Sequence, residues 1–297
     1  MASSAAVQTR PELARVPFGT SVAEIKRIVA RDGGVVLTGV LSASQVDQVN
    51  RDLDLIMNPR SAGDFGAGEG NYIENFYGKT TKRLQHSLKY SKTYREALLC
   101  SDTIADYISA LLGTPKGSQS LQASQAIEIF PGEKAQPLHR DGGAFLDVLG
   151  INSKDGVELV ANVLLALTDV TEEMGATRIV PGSHLFDDFT KTVSQDQTIP
   201  ATLSRGDALL FSGKLLHGGG ANTTSDRSRR VISSAWTLSF LYPEEAWPFV
   251  LSLDEVREYP PILQSYLGFH SRTYRGEQPG FLWRADALPL EKYLKLS

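Results

Sequence analysis

A chain of 297 residues, 41% of them hydrophobic, has enough apolar material for a sizeable core. Its 30 lysines and arginines against 34 aspartates and glutamates give a formal charge of −4, which offers no electrostatic footprint for nucleic acid and favours a small-molecule partner. The single cysteine, Cys100, cannot form an internal disulfide, and neither the N-terminal MASSAAVQTRPELARVPF nor the interrupted VELVANVLLAL is apolar for long enough to be a signal or a membrane span. The C-terminal KLS is not a peroxisomal tripeptide, so the expected setting is cytoplasmic, without a membrane partner.

In chain order, SVAEIKRIVARDGG places Val22, Ile25, Ile28 and Val29 at helical spacing after a Thr20/Ser21 cap, with Gly33 as a stop. The short apolar strand GVVLTGV follows, and SASQVDQVNRDLDLIM repeats the helical pattern. Residues 59–80, rich in Gly, Ser and Asn, show neither periodicity and read as a long loop. Its aromatics Tyr72, Phe76 and Tyr77 suit a lid that closes over an apolar substrate. KTYREALLCSDTIADYISALLG returns to helix.

From residue 121 the period changes: LQASQAIEIF, VELVANVLLAL, ATRIVPGSH, DALLFSG and RRVISSAWTLSFLY are β-prone runs separated by Gly, Pro, Asp and Asn. The expected fold class is mainly β with flanking helices, its core a double-stranded β-helix of the jelly-roll or cupin type. A last helical stretch, SLDEVREYPPILQSYLGF, is broken by Pro260 and Pro261. No linker divides the chain, so residues 1–297 read as one domain: an extension 1–19, a helical flank 20–120, the β core 121–245 and a C-terminal segment 246–297.

The chemistry begins at AQPLHRDGG. In an extended segment His139 and Asp141 point to one side while Arg140 turns away, a geometry that suits two ligands of one metal. Among five histidines, His217 stands out, because it follows a strand and opens HGGGAN, where glycines let the backbone pass close to a bound group. Two histidines and one carboxylate form the facial triad of non-haem Fe(II) oxygenases, which leaves positions open on the metal. Twelve residues after His217, Arg229 opens a strand, and a buried guanidinium there needs an anion such as a dicarboxylate. Arg229 and Arg230 face opposite ways, so only one points inward. On these residues alone, an ordinary strand histidine beside a turn aspartate and a salt-bridged arginine remain open as alternatives. His86, His184 and His270 read as core, structural or exposed groups, and Cys100 as a small hydrophobe.

The segments QPLHRD, TEEMGATRIVPGSH and LLHGGGANTTSDRSRR resemble the phytanoyl-CoA dioxygenase family of Fe(II)/2-oxoglutarate oxygenases, most closely its fungal members that tailor meroterpenoids and alkaloids. The resemblance spans roughly residues 20 to 275. It implies His139, Asp141 and His217 as iron ligands and Arg229 as the grip on the distal carboxylate of the co-substrate 2-oxoglutarate, with O2 as oxidant. It further implies co-substrate contacts from Gln136, Thr177 and Arg83, and it points to a homodimer. Met174 stands where the family more often has Asn, a change in a turn. Asp141 itself argues against a halogenase, which needs that metal position for chloride. The implied reaction is hydroxylation, desaturation, epoxidation or ring rearrangement of a hydrophobic secondary-metabolite intermediate, such as a terpenoid, with succinate and CO2 released. An acyl-CoA or lipid hydroxylase and a non-catalytic jelly-roll binding protein are the rival readings. Beyond the lid, substrate contacts are expected from Phe145, Leu146 and Trp236 at the barrel mouth.

Overall fold

The computed structural model describes residues 12–63, 76–274 and 278–296. The helix Val22–Asp32 starts where the Ser21 side chain accepts the Glu24 amide and stops at Gly33, whose φ of 85° serves as a left-handed cap. Ser42 and Gln45 form a reciprocal capping box that starts the helix Ala43–Met57. The stretch read as one helix after residue 91 is divided into Lys92–Tyr94, a π turn at Arg95–Leu99, and Asp102–Leu112, whose start Ser101 caps. Pro261 opens the helix Pro261–Tyr266, where its missing amide costs nothing.

Ten strands build the two sheets that matter here: β1 Arg15–Pro17, β2 Gly34–Thr38, β3 Thr81–Leu84, β4 Gln119–Ile129, β5 Val160–Ala166, β6 Thr177–Ile179, β7 Ile199–Ala201, β8 Ala208–Ser212, β9 His217–Gly218 and β10 Arg229–Leu238. The large sheet runs β1-β2-β8-β5-β10-β4-β3, antiparallel throughout except for the parallel β1–β2 pair. The small sheet is β7-β6-β9. Together they form the double-stranded β-helix core with flanking helices. Besides the expected strand β2, the extension 1–19 gives β1 and the flank read as helical gives β3 to the large sheet; both were too short to show a period of two.

Alternation along the central strand β10 sorts the two faces. Ile232 and Trp236 join the core between the large sheet and the helices, where Asp102–Leu112 packs on β5 and β10 and Pro261–Tyr266 on β4. Val231 faces the other way, into a second core shared with Ile179, Ile199, Leu203 and Leu209 that closes one end of the space between the sheets. Arg229, Ser233 and Ala235 share that inward face and line a cavity. Trp236, expected at the barrel mouth, is therefore a core residue packed edge-on against Tyr266, with ring centroids 6.1 Å apart. Leu146 is likewise buried in the helix-side core and lines a neighbouring cleft rather than this cavity. Among the described residues no helix is long and apolar enough to cross a membrane.

Candidate metal and co-substrate site

His139 sits on no regular strand; it makes an isolated antiparallel bridge with His217, each backbone N–H donating to the other's carbonyl at 2.8 and 2.9 Å. That bridge ties the HRD segment to β9 and sets the two imidazoles beside each other, ring centroids 4.5 Å apart and planes tilted by 47°. The Nδ1 atoms lie 3.0 Å from the carbonyl oxygens of Pro137 and Leu215, so each ring donates backward and turns its Nε2 lone pair forward. Asp141 splits its carboxylate between them, Oδ1 at 3.3 Å from His139 Nε2 and Oδ2 at 3.5 Å from His217 Nε2. One ligand atom from each of the three lies within 4.8 Å of the others, close enough to bind one ion.

The electrostatics suit a cation. Burial opposes the Asp141 charge, but His217 and His139 outweigh it and hold the carboxyl down at about 2. Burial pushes the His217 imidazole toward its neutral form, and His139 is raised because Asp141 overrides the same penalty. Phe211 packs edge-on against His217 and Phe76 against His139, each at 4.8 Å, which fixes both rings.

The glycines of HGGGAN serve a purpose different from the expected one. A side chain at Gly218 would stand 3.0 Å from the Gln136 carbonyl, and one at Gly220 would stand 2.5 Å from that of Ala176, so these glycines admit neighbouring backbone rather than a ligand. Only Gly219 lines the cavity. The segment then turns on Asn222, buried, whose Nδ2 donates to the carbonyls of Ile129 and Arg227 and whose Oδ1 accepts from Thr224. The turn delivers Arg229 to the cavity. Sequence reasoning had not singled out Asn222, although an Asn two residues before a Thr is a turn signal.

Arg229 is fully buried, and among the described residues its one side-chain hydrogen bond runs from Nε to the Gly175 carbonyl at 3.2 Å. No carboxylate pairs with it among the described residues, and burial, with Arg83 nearby, lowers its pKa to about 9, which leaves it charged at neutral pH. Arg230 points the other way and is held by Glu128 at 2.9 Å and Asp54 at 2.6 Å. Only one of the two arginines is thus available to a ligand.

Gln136, Thr177 and Arg83 all reach the same cavity, which holds about 610 Å³. Gln136 Oε1 accepts the Gly219 amide at 3.0 Å, which leaves its NH2 as donor. Thr177 is buried, with no hydrogen bond from its hydroxyl to the described residues. Arg83 donates to Gln125 at 3.2 Å and lies 4.2 Å over the Tyr77 ring, and burial lowers its pKa to about 10. Phe76, Tyr77 and Phe145 line the cavity as expected for substrate contacts, while Tyr72 lies outside the described residues. Just before β3, the Glu133 carboxylate accepts the Thr80 amide at 2.5 Å.

The other histidines stay out of this site. His86 packs on Trp247 at 5.5 Å, His184 lies 3.0 Å from the Ala30 carbonyl, and His270 lies 2.9 Å from Gln264. Cys100 is half-buried, its thiol pushed up to about 11 by burial.

The profile described as Phytanoyl-CoA dioxygenase (PhyH) matches residues 29–231. Dioxygenase FUM3 of Gibberella moniliformis is 35% identical over 292 residues, covering 97% of this chain and 95% of its own length. Dioxygenase ALT11 of Alternaria alternata is 35% identical over 278 residues, covering 92% and 89% respectively. Among solved structures, the epimerase SnoN in complex with Fe3+, alpha ketoglutarate and nogalamycin RO shares the fold at a TM-score of 0.53 and 18% identity, over 89% of this chain and 96% of SnoN. With the family profile spanning the triad and Arg229, and relatives aligned nearly end to end, the chain belongs to the phytanoyl-CoA dioxygenase family.

Proposed function

We propose that this enzyme is an Fe(II)- and 2-oxoglutarate-dependent dioxygenase acting on a hydrophobic small molecule of secondary metabolism, a reading supported above all by one arrangement. Arg229, a buried cation that pairs with no carboxylate among the described residues, opens into the same cavity as a His-Asp-His cluster. The donor set fits iron in a facial triad, and the unmatched guanidinium fits a dicarboxylate that reaches from the metal to the arginine. His139, Asp141 and His217 hold the metal. Arg229 takes the distal carboxylate of 2-oxoglutarate, Thr177 adds a hydroxyl donor to it, and Gln136 offers its NH2 to the carboxylate nearer the metal. Arg83 adds a second positive charge to the wall, which favours a dianion.

When bound, iron and 2-oxoglutarate supply O2 activation through oxidative decarboxylation to succinate and CO2, and with it the power to oxidise a C–H bond. The chain's own part is placement. Fixed imidazoles keep the ligand atoms converged, so no side chain must reorganise when metal enters. Phe76, Phe145, Leu164 and Phe211 give the cavity an apolar lining that excludes water from the reacting centre and receives a hydrophobic substrate. Whether hydroxylation, desaturation or ring rearrangement follows is decided by which C–H bond these walls present.

The test is succinate production by purified protein given 2-oxoglutarate, O2 and Fe(II). Formation that requires Fe(II) and disappears in Asp141→Ala supports the reading. Succinate produced equally without iron, or by the variant, contradicts it.

A further inference from the structure

The cavity wall carries a second set of polar groups that metal and co-substrate leave unused. Asn162 on β5 is 1% exposed, and neither its Oδ1 nor its Nδ2 has a hydrogen-bond partner among the described residues. Gln122 Oε1 on β4 is in the same condition. Both side chains line the cavity. Buried carboxamides are nearly always paired in folded proteins, so two unmatched ones in one wall call for a ligand.

The strand register shows how they come together. Ala235 on β10 faces Asn162 on one side and Ala123 on the other. The next β10 residue, Trp236, faces Leu121, so Gln122 is an extra residue with no partner across the ladder. Such a bulge re-aims a side chain, and here it turns Gln122 inward beside Ala123. The result is a shelf of two methyl side chains flanked by two carboxamides. It lies away from the co-substrate: Ala235 is six residues along β10 from Arg229, about 20 Å at the rise of a strand.

A carboxamide presents a donor and an acceptor side by side. A hydroxyl group both donates and accepts and so matches it, whereas a carboxylate or an ammonium group uses only half of what is offered. We infer that the substrate carries a hydroxyl group, bound by Asn162 and Gln122 on the Ala235 shelf, and that this pair determines specificity. The inference rests on the function proposed above and adds to it the chemical character of the substrate. The apolar lining takes the carbon skeleton, and the carboxamides take its hydroxyl and thereby set which carbon faces the triad.

Three probes of one shape separate the possibilities: cyclododecanol, which donates and accepts; cyclododecanone, which only accepts; and cyclododecane, which does neither. Their affinities for anaerobic protein loaded with Fe(II) and 2-oxoglutarate are measured by ligand-observed NMR for wild type, Asn162→Leu and Gln122→Met. In wild type the alcohol is expected to bind at least about tenfold more tightly than the hydrocarbon, with the ketone between. The preference is expected to fall below about threefold in Asn162→Leu and partway in Gln122→Met. Asn162→Leu also gives up no side-chain hydrogen bond to the described residues, so its Tm is expected to match or exceed that of wild type. Equal affinities for the three probes, or none for any of them, overturn the inference. So does a full alcohol preference in the variants, and so does a lowered Tm in Asn162→Leu, which marks that side chain as structural. Failure of the same samples to bind iron or 2-oxoglutarate counts instead against the proposed function, and the probe preference is then read on the protein alone.

Discussion

Arg229→Ala separates a co-substrate anchor from a structural arginine, because its neighbour Arg230 provides an internal control. Among the described residues Arg229 makes one side-chain hydrogen bond, to Gly175, worth about 1 kcal/mol, and its removal relieves the burial of an unmatched charge. The fold is therefore expected to tolerate the change. The ligand is not: losing one partner of a buried charge pair costs about 2–5 kcal/mol, or roughly 30-fold to several-thousand-fold in affinity. Arg230→Ala does the reverse. It strands Glu128, which is buried and 2.9 Å from the guanidinium, and it frees Asp54. Breaking such a pair costs about 3–5 kcal/mol, on the order of 10 °C in Tm, while 2-oxoglutarate affinity stays near the wild-type value. Anaerobic calorimetric titration of 2-oxoglutarate into the iron-loaded proteins, beside thermal melts, reads both effects. Should Arg230→Ala weaken 2-oxoglutarate while Arg229→Ala does not, the inward assignment of Arg229 is refuted.

His139→Ala and His217→Ala are each expected to abolish succinate formation with circular dichroism unchanged, and activity retained in either contradicts the triad. Phe76→Ala and Tyr77→Ala are expected to alter substrate affinity or product ratio more than 2-oxoglutarate turnover without substrate. Of the two, Phe76→Ala should also weaken iron binding, because its ring rests on His139 at 4.8 Å, so the comparison is made at saturating Fe(II); unchanged products and rates in both variants remove them from the substrate wall. Burial raises Glu158 to about 7, against the hydrogen bond from Ser212 and the charge of Lys214, so the folded state favours its protonated form. Its stabilising contribution is complete below the unfolded value of 4.5 and is lost as pH rises through about 7, a change of about 3 kcal/mol. Glu158→Gln is therefore expected to raise Tm relative to wild type at pH 8 and much less at pH 5, and an equal shift at both pH values excludes this titration.

What the sequence made legible was whatever local chemistry announces. Ser21 and Gly33 mark helix ends by their own hydrogen-bonding and backbone preferences, and the structure places them there. His139 and Asp141 stand two apart, and the structure brings them to one point with His217. Less legible was anything decided by partners distant in the chain. Trp236 and Ala235 are adjacent in one β-prone run, and only the pairing of β10 between β5 and β4 reveals which of them faces the helices. Gln122 turns inward because of a bulge that exists only in the pairing of two strands, and Asn162 lies inside an apolar run whose period hides its direction. β3 has four residues, too few for a periodic signal, yet it carries Arg83 to the cavity.

That His139, Asp141 and His217 hold one iron ion between them is tested by the iron content of wild type and Asp141→Ala after anaerobic reconstitution with Fe(II) and removal of unbound metal. One equivalent per chain in wild type and almost none in the variant is the predicted result; equal iron in both, or none in either, contradicts the claim.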